Sequence, residues 1–131
     1  MSYQDFVSRK LSLVPPMGLP GPHSLPADML PHQDDLTRWA LKRGRAAIFA
    51  DTGLGKSRME LAWAQAVHRA TGGDVLILAP LAVAAQTVEE GRKVGITVTH
   101  CRDGADVATG INITNYDRLH RFDPSRFAGV A

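Results

Sequence analysis

The sequence of 131 residues has one cysteine, few aromatic residues and no long apolar run. The single thiol, Cys101, excludes an intramolecular disulfide and a zinc site built from several cysteines. There is no apolar stretch of roughly 20 residues that could cross a bilayer, and no signal-peptide core. We therefore expect no membrane partner and a cytoplasmic location. The formal net charge of +2 is compatible with a nucleic-acid partner but is not evidence for one.

Six of the eight prolines lie between residues 15 and 31. Because proline fixes φ and removes a backbone donor, such a segment favours an extended connector over a packed element. The sequence therefore predicts an extended proline-rich leader over residues 1–29, with a short helix near residues 3–10. Residues 30–131 are predicted to form the domain itself.

Helical and strand patterns alternate along the domain. Helices are predicted at residues 32–43, 56–70 and 81–93, with a short one near 117–120. Strands are predicted at residues 45–50, 74–79, 96–101 and 111–114, and residues 127–131 look like the start of another. This alternation predicts an α/β fold in which a parallel sheet carries helices on both faces.

Two local features of these elements can be read from spacing. In the first helix, Leu36, Trp39 and Ala40 fall at helical spacing and predict one apolar face. Cys101 follows an alternating run at residues 96–100, which indicates a structural thiol near a strand end and not a reactive one.

The stretch from Ala50 to Ser57, Ala-Asp-Thr-Gly-Leu-Gly-Lys-Ser, is the chemical centre of the sequence. It lies between a short apolar run and a long helical pattern, which is the context of a phosphate-binding loop. Glycines at positions 53 and 55 allow the backbone N–H groups to surround an anion. Lys56 would reach the β- and γ-phosphates as the catalytic cation, and the Ser57 hydroxyl would hold Mg²⁺. The alternative is an ordinary glycine-containing turn with an exposed lysine.

Four segments together resemble one family, the superfamily 2 helicases and translocases, particularly the Snf2-like proteins of phages and prophages. Residues 30–33 resemble the glutamine motif, and residues 50–57 resemble motif I in its A-x-T-G-x-G-K-[ST] form. Residues 79–86 resemble motif Ia, and residues 113–117 resemble motif Ib. The resemblance covers about residues 30–131. It implies an incomplete first motor domain, a RecA-like P-loop NTPase fold.

The resemblance also implies ligands and residue roles. ATP and Mg²⁺ are the expected cofactors, and nucleic acid, favoured as double-stranded DNA, is the expected partner. Gln33 would read the adenine edge. The triphosphate and Mg²⁺ would be held by the loop and the helix start, namely Thr52, Gly53, Leu54, Gly55, Lys56 and Ser57. Nucleic acid would be contacted by Pro80, Leu81, Gln86, Thr114, Asn115 and Tyr116.

The sequence departs from the family pattern at its end. The acidic Asp-Glu pair with which the family hydrolyses ATP would follow Ala131, and neither Asp117 nor Asp123 is a convincing substitute. The second motor domain and its arginine finger, which the resemblance implies for a complete motor, are absent from these residues too. We therefore expect this chain to bind nucleotide and to hydrolyse it negligibly, and a longer protein to be an ATP-driven motor. The alternatives are a P-loop kinase-type phosphotransferase, which motif I alone permits, and a non-catalytic remnant that binds nucleotide or DNA.

Overall fold

The computed structural model of the chain describes residues 2, 4, 18–47 and 56–131. Three sequence-based predictions fall wholly or largely outside these residues. They are the short helix near residues 3–10, residues 48–50 of the first predicted strand, and the phosphate loop as far as Gly55. Residues 45–47, at the start of that predicted strand, have no regular secondary structure.

The described part of the domain alternates between helices and strands, as predicted. Its α-helices are α1 (Pro31–Arg43), α2 (Lys56–Thr71) and α3 (Leu81–Lys93). Its strands are β1 (Val75–Ala79), β2 (Val98–His100), β3 (Ile111–Asn115) and β4 (Gly129–Val130). Short 3-10 helices lie at Gly104–Asp106, Tyr116–Arg121 and Pro124–Arg126. The predicted strand at 96–101 is shorter than expected, and the predicted helix near 117–120 is a 3-10 helix.

The ends of the helices follow local chemistry. Pro31 is the first residue of α1, where its missing N–H costs nothing because that group has no partner in the helix. Gly44 and Gly72 end α1 and α2 with positive φ values of 81° and 71°. Their N–H groups bond to the Ala40 and His68 carbonyls at 3.1 and 2.8 Å, and such turns favour glycine, which has no Cβ.

The four strands form one parallel sheet in the order β2-β3-β1-β4. In the register of the central strands, Val75 lies opposite Ile111 and Ala79 lies opposite Asn115. On its other side β1 pairs with β4, with Val75 opposite Gly129. The fold is therefore α/β with an all-parallel sheet, as the alternation predicted.

The two faces of the sheet are covered differently. Alternate residues of β1 point to opposite faces. Val75, Ile77 and Ala79 join the main core, to which all three α-helices contribute apolar side chains. Leu76 packs on the opposite face with Cys101, Phe122 and Phe127.

Within the described residues, α-helices cover only one face of the sheet. The expectation of helices on both faces is therefore met in part, because the opposite face is covered by other segments. The segments that cover the opposite face, residues 101–110 and 116–128, contain 3-10 helices. Both segments are short, and they are interrupted by glycine or proline, which do not favour a long α-helix.

The buried face of α1 differs from the predicted one. Trp39, placed on the apolar face by spacing, is 45% exposed. Ala40 is buried as predicted, but Thr37 and Leu41 are buried beside it at 1% exposure. The Thr37 hydroxyl donates to the Gln33 carbonyl at 2.7 Å, so its burial leaves no unpaired polar atom. The prediction was wrong for Trp39 because packing against α2 turns a partly polar stripe inward.

Residues 18–30, which we call the strap, are extended but are packed on the domain. The N–H groups of Gly18 and Leu19 donate to the Lys42 and Leu41 carbonyls at 3.0 and 2.9 Å. Leu19 and Leu25 pack against the main core, and Met29 is buried against α2. The proline-rich stretch therefore forms part of the folded unit from residue 18 onward.

Candidate functional site

The carboxyl ends of β1 and β3 lie side by side. Ala79 and Asn115 are partners in the register, and paired strands are about 4.8 Å apart. Pro80 and Leu81 follow β1, and Tyr116 follows β3. These residues therefore leave the sheet next to each other. This brings the predicted motif Ia and motif Ib segments together at one edge.

Helix α2 starts at the same edge. Its carboxyl end is connected by residues 72–74 to the start of β1, so the helix runs back along the sheet. A 16-residue helix is about 24 Å long, which exceeds the roughly 17 Å of a five-residue strand. Gly129, at the start of β4, lies against Trp63 and Val67 in the middle of α2. Val130 and Ala131, further along the chain, line the same pocket as Lys56 at the start of α2. The first turn of α2 is thus near the carboxyl edge.

An open pocket of about 470 Å³ lies between α1, the start of α2 and β4. Lys56, Glu60 and Trp63 line it from α2, and Thr37 and Arg45 line it from the side of α1. Burial raises the pKa of the Glu60 carboxyl, and the nearby Lys56 ammonium partly offsets that effect. The pocket therefore combines cations and a carboxyl group with an indole surface.

Sequence reasoning missed Glu60 and Trp63. The signal was present, because residues 56, 60 and 63 are spaced at i, i+4 and i+7 and so share one face of a helix. Without the structure, this face of α2 could not be distinguished from a solvated one.

Arg58, in the first turn of α2, was also missed. Its Nη2 donates to Asp28 Oδ1 in the strap, and its side chain is 19% exposed. Its Nη1 is buried and has no hydrogen-bond partner in the part of the chain that the structure describes. Nothing in the sequence indicates this pair, since Asp28 lies 30 positions earlier.

Gln33, predicted to read adenine, is buried in the first turn of α1. Its carboxamide Oε1 accepts a hydrogen bond from the Leu30 N–H at 3.0 Å. The side chain therefore helps to hold the start of α1. Its contact with adenine stays a prediction.

The residues predicted to contact nucleic acid differ in exposure. Leu81 and Tyr116 are each 60% exposed, and Pro80 and Gln86 are exposed as well. Thr114, in contrast, is buried, and its hydroxyl donates to the Cys101 carbonyl at 2.9 Å. The structure thus gives Thr114 a role in holding the strand end.

Asn115 lies at the same edge and is half-buried. Its Oδ1 is buried, and no described residue donates to it. Buried polar side-chain atoms are nearly always paired, so this unpaired acceptor at the edge is unusual.

The described residues are compatible with Mg²⁺ held together with phosphate. Among residues 18–47 and 56–131, no group of three or more His, Cys, Asp or Glu side chains could hold a metal ion. Mg²⁺ bound to a triphosphate keeps several waters and needs only one or two protein ligands. The half-buried Ser57 at the start of α2 can supply one.

No protein-family model matches the chain, and a comparison with curated proteins finds no match. None of the described helices is long and apolar enough to cross a membrane. The fold and the chemistry of this edge are therefore the basis for assigning a function.

Proposed function

We propose that the chain is the ATP-binding part of a nucleic-acid-dependent ATPase, a helicase or a translocase on double-stranded DNA. Its domain, residues 30–131, would be the front of a RecA-like motor domain. One observation carries the proposal. A helix that begins at Lys56 and Ser57 starts near the carboxyl edge of a parallel sheet, beside the segments that follow β1 and β3. In open α/β sheets, ligands bind at this edge.

The triphosphate would bind at the start of α2. The first backbone N–H groups of a helix have no intrahelical partner and carry partial positive charge, which favours phosphate. The Lys56 ammonium adds a full charge, and the Ser57 hydroxyl offers an oxygen to Mg²⁺. Bound Mg²⁺ would neutralise charge on the phosphates. Thr52, Gly53, Leu54 and Gly55 would complete the cradle.

Nucleic acid would bind on the neighbouring part of the edge. The exposed Tyr116 ring offers a surface for a base or sugar, and the Leu81 side chain extends it. The Asn115 Oδ1 supplies an acceptor, and Pro80 and Gln86 flank the site. We propose that these residues bind both nucleotide and nucleic acid.

The phosphate site is tested by Lys56→Ala. ATP affinity in the presence of Mg²⁺, measured by calorimetry, should fall about 10- to 100-fold, because a charge-assisted hydrogen bond contributes about 1.5–3 kcal/mol. Lys93→Ala, at an exposed position in the last turn of α3, is the matched control and should bind normally. Unchanged affinity in a folded Lys56→Ala protein would exclude the phosphate-loop assignment.

The class of function is tested by adding partners to the wild-type chain. Duplex DNA should bind and should alter ATP affinity, and Tyr116→Ala should weaken DNA binding without affecting ATP alone. ATP turnover stimulated by a small phosphorylatable substrate, with no effect of DNA, would instead indicate the phosphotransferase alternative.

A further inference from the structure

Arg58 has a charged donor that is buried and that no described residue accepts from. One arm of its guanidinium, Nη2, is paired with Asp28 of the strap, and the other, Nη1, is buried with no partner among the described residues. Buried donors are nearly always paired, and an unpaired one on a charged group is costly. Such an atom suggests a ligand that completes the pairing.

Arg58 and Lys56 lie on different sides of α2. Two positions along a helix correspond to a rotation of about 200° around its axis. Lys56 lines the pocket next to β4 with Glu60 and Trp63, whereas Arg58 reaches the strap. A group bound at Arg58 is therefore not the one bound at Lys56.

The strap continues from Asp28 to the glutamine of α1. Met29 packs with Met59 and Ala62 of α2, and the Leu30 N–H donates to Gln33 Oε1. Asp28 is thus anchored within five residues of Gln33, along the first turns of α2. Arg58 is therefore connected, through Asp28, to the segment that leads into Gln33, the residue to which the base is assigned.

We infer that Arg58 binds the nucleoside part of the nucleoside triphosphate, with Nη1 donating to an acceptor on the base or ribose. This inference depends on the proposed function, because it takes the phosphates to lie at Lys56. Asp28 is then a positioning residue: its carboxylate holds the guanidinium while the second arm contacts the ligand. The planar fork of arginine suits this double use, and lysine does not supply it.

The test compares ATP with inorganic tripolyphosphate, which has the phosphates and lacks the nucleoside. Both affinities are measured by calorimetry with Mg²⁺ on the whole chain. Arg58→Met should weaken ATP binding about 10- to 100-fold, as expected for a lost charge-assisted hydrogen bond, and leave tripolyphosphate unchanged. Arg58→Lys should show the same selective loss, and Asp28→Asn a smaller one.

The control is Arg69→Met, an exposed arginine in the last turn of the same helix, which should alter neither affinity. Equal losses for both ligands, or no loss for ATP, in the folded Arg58 variants would overturn the inference. Tripolyphosphate binding that is insensitive to Lys56→Ala would instead overturn the proposed function. A wild-type chain that binds neither ligand would overturn both.

Discussion

At the scale of single residues, the pairing of buried polar atoms separates structural from ligand-binding roles. The Asn112 side chain is fully buried and makes hydrogen bonds to both backbone groups of Ala108, at 2.8 and 2.9 Å. Its polar atoms are satisfied inside the fold, so it stabilises the loop before β3. Arg58 Nη1 and Asn115 Oδ1 have no such partners in the described chain, and both lie near the proposed site.

Cys101 illustrates the structural role. It is buried with Leu76, Phe122 and Phe127, and burial, assisted by Asp106 and Asp103, raises the pKa of its thiol to about 11. We predict that iodoacetamide alkylates the folded chain far more slowly than the urea-unfolded chain at pH 8, because the thiolate is the nucleophile. Equal rates in the two states would show that the thiol is accessible.

The same pKa shift predicts how stability depends on pH. The ordinary value is 9.0, so the unfolded thiol releases its proton before the folded one as pH rises. The contribution of the pKa shift to the free energy of unfolding is fully present below about pH 9 and is lost as pH rises toward 11. Cys101→Ala, compared by urea unfolding across this range, should lack this part of the decline. The same pH dependence in both proteins would contradict it.

At the scale of elements, the last turn of α3 depends on a close backbone approach. Gly91 is buried, and its carbonyl accepts from the Val94 and Ile96 N–H groups at 3.0 and 2.8 Å. A Cβ at this position would lie 2.6 Å from the Ile96 carbonyl oxygen. The absent side chain therefore allows the chain to turn directly from α3 toward β2.

We predict that Gly91→Ala destabilises the protein. On helix propensity alone, alanine would gain about 1 kcal/mol over glycine, but the backbone contact cannot relax by moving a flexible side chain. Overpacking of this kind costs about 1–3 kcal/mol, so the midpoint of urea unfolding should fall. Ala85→Gly, at an exposed position of the same helix, calibrates the propensity effect. A more stable Gly91→Ala protein would show that the contact relaxes.

At the scale of the whole molecule, the strap makes residues ahead of α1 part of the folded unit. Leu25 packs against both the main core and the Met29 cluster, and the Asp28–Arg58 ion pair fastens the strap to the first turn of α2. The segment therefore connects the core to the proposed nucleotide site.

We predict that Leu25→Ala lowers the free energy of unfolding by about 2 kcal/mol, the lower end for leucine truncation because the side chain is only partly buried. The measurement is urea unfolding followed by circular dichroism. Leu30→Ala, which truncates a leucine that is 55% exposed, should have little effect. Equal small effects of both variants would mean that the strap is an independent leader.

Much of the secondary structure followed from sequence alone. The predicted bounds of α3 are those of the structure: Pro80 ends β1 ahead of the helix, and basic Arg92 and Lys93 lie in its last turn, where cations are favourable. Given a parallel sheet, the motif Ia and motif Ib segments lie at one edge, since parallel strands align their carboxyl ends. The function implied by motif I stays a proposal, because the loop up to Gly55 lies outside the described residues.

Other features were decided only by the tertiary structure. Trp39 faces outward while Thr37 is buried, Asp28 pairs with Arg58, and Glu60 lies in the pocket of Lys56. Local sequence determines which residues can form a helix or strand, because its signals act within one or two turns. The packing of segments far apart in the chain decides which face of a helix is buried and which distant charge a side chain pairs with. These features could therefore be seen only in the folded molecule.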